Sequence, residues 1–218
     1  PYYDDFDSTD NFHKILFRPG FAVQARELTQ LQSILQNQIE RHGNNIFKDG
    51  TVIIPGQLSF SNSYQSIKLT STFGSEDVVP AQYYNASSPV IITGATSGVE
   101  AEVIGYKDGT STTQPTLYVK YTKTGSDFAT ETFSDSENIS ANVSITHTTA
   151  YASNIASATT HTSAAQTGSA VKVESGIYYV RGQFVRVAEQ TLVLSDSSTT
   201  VSKRVGFTIT ETLVTPEV

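Results

Sequence analysis

The chain is predicted to be mainly β with one long amino-terminal α-helix, followed by β-sandwich or barrel-like domains. Three observations carry that expectation. Only Gln24 to Arg41 (QARELTQLQSILQNQIER) is both long and free of Gly and Pro, with apolar residues at helical spacing. Much of the remainder breaks into short alternating runs bounded by Gly, Pro and Asp-Gly, the pattern of strands and their turns. Charged residues make up only 16% of the 218, and Ser and Thr take their place, which favours a neutral β surface.

Residues 1–20 read as a docking arm. Tyr2, Tyr3, Phe6, Phe12 and Phe17 are too many large aromatics for a tail immersed in water, so the arm is expected to lie on its own domain or on a neighbouring subunit. Asp4, Asp5, Asp7 and Asp10 lack the glycine and the distal Glu of a calcium loop and are taken as a solvated acidic strip. Pro19-Gly20 then turns the chain into the helix.

The helical segment is placed at 21–43. Leu28, Leu31, Ile34, Leu35 and Ile39 share one broad face, opposite Gln, Asn, Glu and Arg. With Leu28 as an a position, Leu31 is d, Leu35 is a, Gln38 is d and His42 is a, so a leucine seam continues into polar layers. A helix from Val23 to His42 is roughly 30 Å long, and Gly43 is expected to stop it in a left-handed conformation. Such a helix either lies on its own sheet or associates with copies of itself. The glutamine-rich flank, ill suited to an apolar sheet, favours self-association.

A first β portion follows at 44–75. Asp49-Gly50 is a hairpin signal between Ile46-Phe47 and Thr51 to Ile54, and Pro55-Gly56 ends that strand. Leu58 to Leu69 has apolar Leu58, Phe60, Ile67 and Leu69 at strand spacing. Residues 76–145 read as an inserted small β module with strands at Val90 to Thr93, Ala101 to Tyr106, Thr116 to Thr122 and Val143 to Thr146. The Ser/Thr/Ala-rich segment 146–168 is expected to be a linker, or an extended strand packed between subunits. Its His147 and His161 lack metal-ligand spacing. The second β portion, 169–218, contains a hairpin about Arg181-Gly182-Gln183 with core candidates Val180, Phe184 and Val187. Thr200 to Leu213 alternates again, and these strands are expected to join those at 46–69 in one sheet system.

Composition narrows the function classes. The net charge of -7 and the lack of a clustered basic face argue against a nucleic-acid partner. No apolar run approaches the length of a membrane span, and no signal-peptide pattern opens the chain, so a soluble protein made in the cytosol is expected. Without Cys there is no disulfide framework, thiolate nucleophile or zinc finger. Phosphate-cradling, dinucleotide, zincin and nucleophile-elbow motifs are all missing. No enzymatic activity, catalytic residue, metal or cofactor is therefore predicted. Glu100 and Glu102 belong on the wet face of a strand, and the acceptor patterns at Asn85, Asn138 and Asn142 carry no weight without an export signal. The first residue is not Met and the end, LVTPEV, is abrupt, so the chain is expected to be the amino-terminal part of a longer protein.

Three segments resemble a known family: YYDDFDSTDNFHKILFRPGFAVQARELTQLQSILQNQIERHGNNIF, SGIYYVRGQFVRVAEQTLVL and RVGFTITETLVTPE. The specific part is the LFRPG-x-A-V-Q-A-R-E-L core of the first. They resemble the amino-terminal portion of large virion structural proteins of contractile-tailed phages, many infecting cyanobacteria. The resemblance does not extend over 78–168. It implies a tail, baseplate or fibre-attachment protein, synthesised in the host cytoplasm and resident in the virion, and a homotrimer as is common among fibres and adaptors. The implied trimer interface is Leu28, Leu31, Leu35, Gln38, Ile39 and His42. The implied docking residues toward the baseplate or another tail protein are Tyr2, Tyr3, Phe6, Phe12, Phe17 and Arg18. The competing expectation is a receptor-binding or carbohydrate-binding module whose Tyr83, Tyr84, Tyr106 or Tyr121 stacks on a host-surface glycan. Against it, tyrosines on strands also serve as packing.

Overall fold

The computed structural model describes residues 4–145, 156–212 and 214. Its one α-helix among these residues is α1 (Ala25–Ile46). The strands are β1 (Val52–Ile54), β2 (Leu58–Leu69), β3 (Thr72–Phe73), β4 (Glu76–Asp77), β5 (Val90–Gly94), β6 (Glu100–Lys107), β7 (Thr116–Lys123), β8 (Asn138–Ala141), β9 (Ala156–Val173), β10 (Gly176–Val180), β11 (Gln183–Val187) and β12 (Gln190–Ser195). The described residues are thus mainly β with a single α-helix, as predicted. It divides into two units, Pro1–Ser59 with Lys172–Thr191 and Phe60–Val171 with Leu192–Val218.

In the first unit α1 packs with the antiparallel sheet β1-β10-β11. The Glu27 carboxylate accepts the Gln24 N–H at 2.9 Å, one half of a capping box at the positive helix end. The helix does not stop at Gly43. It runs on to Ile46, and Phe47, in an extended conformation, donates its N–H to the Gly43 carbonyl at 2.7 Å. Gly43 is required for a different reason: a Cβ there would lie 2.3 Å from the Tyr179 hydroxyl. Tyr179 is buried, donates to Asn44 Oδ1 at 2.9 Å, and sets its ring 5.3 Å from Phe47 and 5.7 Å from Phe184.

Gly43→Ala therefore sets two effects against each other. Removing a mid-helix glycine gains about 1 kcal/mol of helix propensity, whereas forcing a methyl into a filled contact costs about 1–3 kcal/mol. At 2.3 Å the clash dominates, and urea unfolding of the two proteins should show a net loss of about 1–2 kcal/mol.

The Asp49-Gly50 signal is a turn but not a hairpin: it joins α1 to β1, with Gly50 at φ 85 and its N–H on the Tyr179 carbonyl at 2.9 Å. The β10–β11 hairpin does form, and both loop residues, Arg181 (φ 45) and Gly182 (φ 80), are left-handed, as a two-residue turn with matching twist requires. Its core is not as expected. Tyr179 is the buried residue, Val180 and Val187 are half-buried, and Phe184, though in ring contact with Tyr179, is largely exposed.

In the second unit the strand order is β12-β9-β2-β7-β6-β5-β8, and β8 also pairs with β9, which closes six strands into a barrel. Closure removes the free edges that an open sheet of this size would present. Alternating residues point inward, among them Ile67, Leu69, Val90, Ile92, Ala101, Val103, Leu117, Val119 and Ile139, and pack with Tyr83 and Phe133. Glu100 and Glu102 alternate with buried Ala101 and Val103, as predicted for β6.

Three strand assignments change. The expected strand Val143 to Thr146 is not one over its described part; the strand lies earlier, at β8. The segment 146–168 lies outside the described residues as far as 155, and from 156 it belongs to β9, not to a linker. Small side chains suit that strand, because Ser157, Ala158, Thr160, Ala164, Ser169 and Ala170 are buried and a Cβ at Gly168 would meet the Ser195 carbonyl at 2.0 Å. Thr200 to Leu213, predicted as a strand, has no ladder over its described part, and the strands expected in one sheet system divide between two sheets, β1 with β10 and β11, and β2 with β9 and β12.

Glu137 is buried beneath the barrel loops, where its carboxylate accepts from Thr96 N–H (3.0 Å), Ser97 N–H (2.9 Å), Ser97 Oγ (2.8 Å) and Ser134 N–H (2.6 Å). It thereby ties the β5–β6 turn to the segment before β8. Asp127 does the same for an exposed loop, accepting from the N–H groups of Ala129 (3.0 Å) and Thr130 (2.9 Å) and from Thr130 Oγ1 (2.7 Å). The Thr130 backbone and hydroxyl bonds hold its carboxyl at about 2. A pKa below the unfolded value of about 3.9 means that the carboxylate supports the loop above that pH and stops doing so as pH falls toward 2. Amide exchange at Ala129 and Thr130, corrected for intrinsic rates, should lose protection across that window, and Asp127→Asn should remove the dependence.

Candidate assembly surface

The helix packs within its own unit through a face other than the leucine stripe. Ile34 is only 3% exposed, and it lines, with Gln30, a groove of about 330 Å³ that Asp5, Phe6, Asp7, Asp10, Phe12, Lys14 and Ile15 of the arm complete. Leu28, Leu35, Ile39 and Ile46 remain 56%, 51%, 60% and 60% exposed. At the helical period these four lie within an arc of about 40°. Leu31 is half-buried beside them, and Gln38 and His42 are exposed on the same flank.

Five of the six residues predicted for a trimer interface are thus on the surface and the sixth is half-covered. Ile34, counted in the same apolar face, is withdrawn from it. Ile46 was missed because the helix was expected to end at Gly43, although it falls one heptad after Ile39 and continues the stripe by another two turns.

The arm folds back on the helix. Asp4 accepts from the Ser33 hydroxyl, Asp5 lies 3.5 Å from Arg26, and Gln38 Nε2 donates to the His13 carbonyl at 3.3 Å. Asp7 caps a short helical turn through the Thr9 N–H at 2.8 Å. Of the predicted docking residues, Phe6 is half-buried in the groove, Phe12 and Phe17 are exposed, and Arg18 sits 4.6 Å from the centre of the Phe21 ring. Tyr2 and Tyr3 lie outside the described residues.

A second concentration of aromatic surface occurs on the barrel. Tyr83, named as a glycan platform, is instead core: fully buried, with its hydroxyl 2.6 Å from Ser157 Oγ. Tyr121 is half-buried against Phe133. Tyr84 and Tyr106 remain 38% and 39% exposed, with ring centres 5.9 Å apart. Elsewhere on the barrel Tyr64 packs on Tyr118, whose hydroxyl donates to Asp196 Oδ1 at 2.7 Å, and Lys107 Nζ donates to Asp196 Oδ2 at 2.5 Å. Burial and then the bond to Asp196 push the Tyr118 hydroxyl well above its ordinary range. Burial acts to raise the Asp196 carboxyl, but the bonds from Lys107 and Tyr118 outweigh it and the net shift is downward.

No helix among the described residues is long and apolar enough to cross a membrane. Residues 1–73, which hold the arm, the helix and β1 to β3, match a domain of unknown function, DUF4815. No curated protein and no solved structure matches the chain.

Proposed function

We propose that this chain is a structural component of a phage virion: the amino-terminal part of a tail fibre, or of an adaptor that attaches a fibre to the baseplate. In this assignment three copies associate along α1, and the arm contacts the baseplate or another tail protein through Phe12, Phe17 and the residues around them. The observation that carries it is the stripe Leu28, Leu35, Ile39 and Ile46, exposed on a helix whose own packing uses Ile34 and Gly43. An apolar strip of this kind, flanked by Gln38 and His42, is the surface that a coiled-coil-like seam buries, and the polar flank fixes register. The phage assignment itself rests on the resemblance of the arm and helix sequence. The test is a map of an intact particle carrying a tagged copy of this chain. Density for three copies around an axis at the tail or baseplate is expected, and particles without the tag would overturn the assignment.

A further inference from the structure

The loop between β7 and β8 displays an aromatic side chain to solvent. Phe128 is 89% exposed, more than any other large apolar residue among those described. Its backbone is left-handed, with φ 57, a conformation that a bulky residue rarely adopts and that costs stability where it occurs. The surrounding loop holds it there. Phe128 donates its N–H to the Gly125 carbonyl at 2.9 Å, Gly125 donates to the Thr130 carbonyl at 2.7 Å, and the Asp127 carboxylate accepts from the N–H groups of Ala129 and Thr130. The loop is in turn fixed to the β5–β6 turn, since Ser126 donates to the Ser97 carbonyl at 3.1 Å and a Cβ on Gly98 would lie 2.3 Å from Ser126 Oγ. At the foot of the loop Thr124 and Glu131 flank its closing Gly125–Thr130 bond. There they line an open cleft of about 360 Å³ together with Gln65, Thr122 and Thr132.

We propose that this loop is a docking element for a partner protein, in which Phe128 enters an apolar pocket with a basic rim while the cleft at its foot receives polar groups of the same partner. A ring left in water on strained backbone adds nothing to the stability of its own chain, so its use lies in binding. The loop is already fixed by its own hydrogen bonds, so little freedom is lost on association. A large aromatic held in this way is the kind of anchor that dominates an interface, and the hydroxyl-lined cleft beside it supplies the polar rim. The partner's charge follows from the loop's own. Between Thr124 and Glu137 stand Asp127, Glu131, Asp135 and Glu137, with no Lys or Arg. The cation that lines the cleft, Lys123, is held by Glu100 at 2.7 Å. The same acidity argues against insertion of Phe128 into an anionic bilayer, whose surface repels carboxylates. The docking element is independent of the assembly proposed for α1, and either can fail without the other.

The experiment places the photoreactive analogue p-benzoylphenylalanine at position 128 of the full chain, or at position 84 as a control, and irradiates cells in which the protein is natively made. One protein crosslinked from 128 and not from 84 is expected, at an apolar peptide flanked by Lys or Arg when mapped by mass spectrometry. In calorimetry with that protein purified, Phe128→Asn should weaken binding about thirtyfold or more, the loss of an interface anchor. Asn tolerates left-handed backbone, so the urea midpoint of this variant should equal or exceed that of the parent. Glu131→Lys, which leaves the ring in place, should weaken binding several-fold. No crosslink from 128, a crosslink to lipid, equal crosslinking from both positions or a peptide flanked by Asp or Glu overturns the proposal. Undiminished binding by either variant overturns it as well, as does a lowered urea midpoint for Phe128→Asn, which would show that the ring packs on its own chain.

Discussion

Leu35→Asp combined with Ile39→Asp should convert the proposed trimer into a folded monomer. Both side chains are more than half exposed in the single chain, so the circular dichroism spectrum and the urea midpoint should barely change. Assembly should respond strongly, because burying an apolar side chain of this size contributes about 1.5–3 kcal/mol and each chain would lose two. Six new carboxylates crowded around one axis would add mutual repulsion. A complex held together at micromolar concentration has a free energy of about 8 kcal/mol to lose, so the variant should sediment as a single chain. Were the stripe packed on its own unit, the same variant would unfold, and the two outcomes separate cleanly. Ile34→Asp provides the contrast. Ile34 is buried against the arm, so that variant should lose stability and release the arm.

The second large effect belongs to Glu137→Ala. This removes the acceptor for the N–H groups of Thr96, Ser97 and Ser134 and for the Ser97 hydroxyl, at a site where the glutamate is almost wholly buried. Leaving a buried donor without a partner costs about 1–3 kcal/mol, and more when the lost partner was charged. With some relief from water entering the vacated space, a loss of about 3 kcal/mol is expected in denaturant unfolding. Glu137→Gln should fall between, since its amide keeps one acceptor oxygen but turns an N–H₂ toward other donors. The change should be confined to the barrel, with the α1 unit unaffected in amide exchange.

The parts of this fold that were legible in the sequence are those whose pattern is local. The helix announces itself through Leu28, Leu31 and Leu35, and β2, β5, β6 and β7 through short apolar runs between turn residues. The β10–β11 turn is legible because Arg181-Gly182 must adopt left-handed backbone. What was misread depends on partners distant in sequence. Gly43 looks like a helix stop until Tyr179, far along the chain, is seen to fill the space where a side chain would be. β9 looks like a linker because small side chains cannot build a core alone, yet smallness is what admits Ser195 against Gly168 and Tyr83 against Ser157. Conversely, Thr200 to Thr212 has the alternation of a strand without a neighbouring strand to pair with, and alternation alone makes no ladder.

The candidate surfaces follow the same division. The helical stripe was readable residue by residue, apart from Ile46, which lay past a misplaced boundary. The barrel tyrosines were readable only as a set of tyrosines. Sequence could not separate buried Tyr83 from exposed Tyr84, its immediate neighbour, because Tyr83 ends a short helical turn that no periodicity in the sequence announces.

Light scattering on the chromatographed chain at micromolar concentration addresses the proposed assembly most directly. A mass three times the 23.6 kDa of the chain is predicted, falling to one chain when Leu35 and Ile39 are replaced by Asp. A parent protein that elutes only at 23.6 kDa would contradict it.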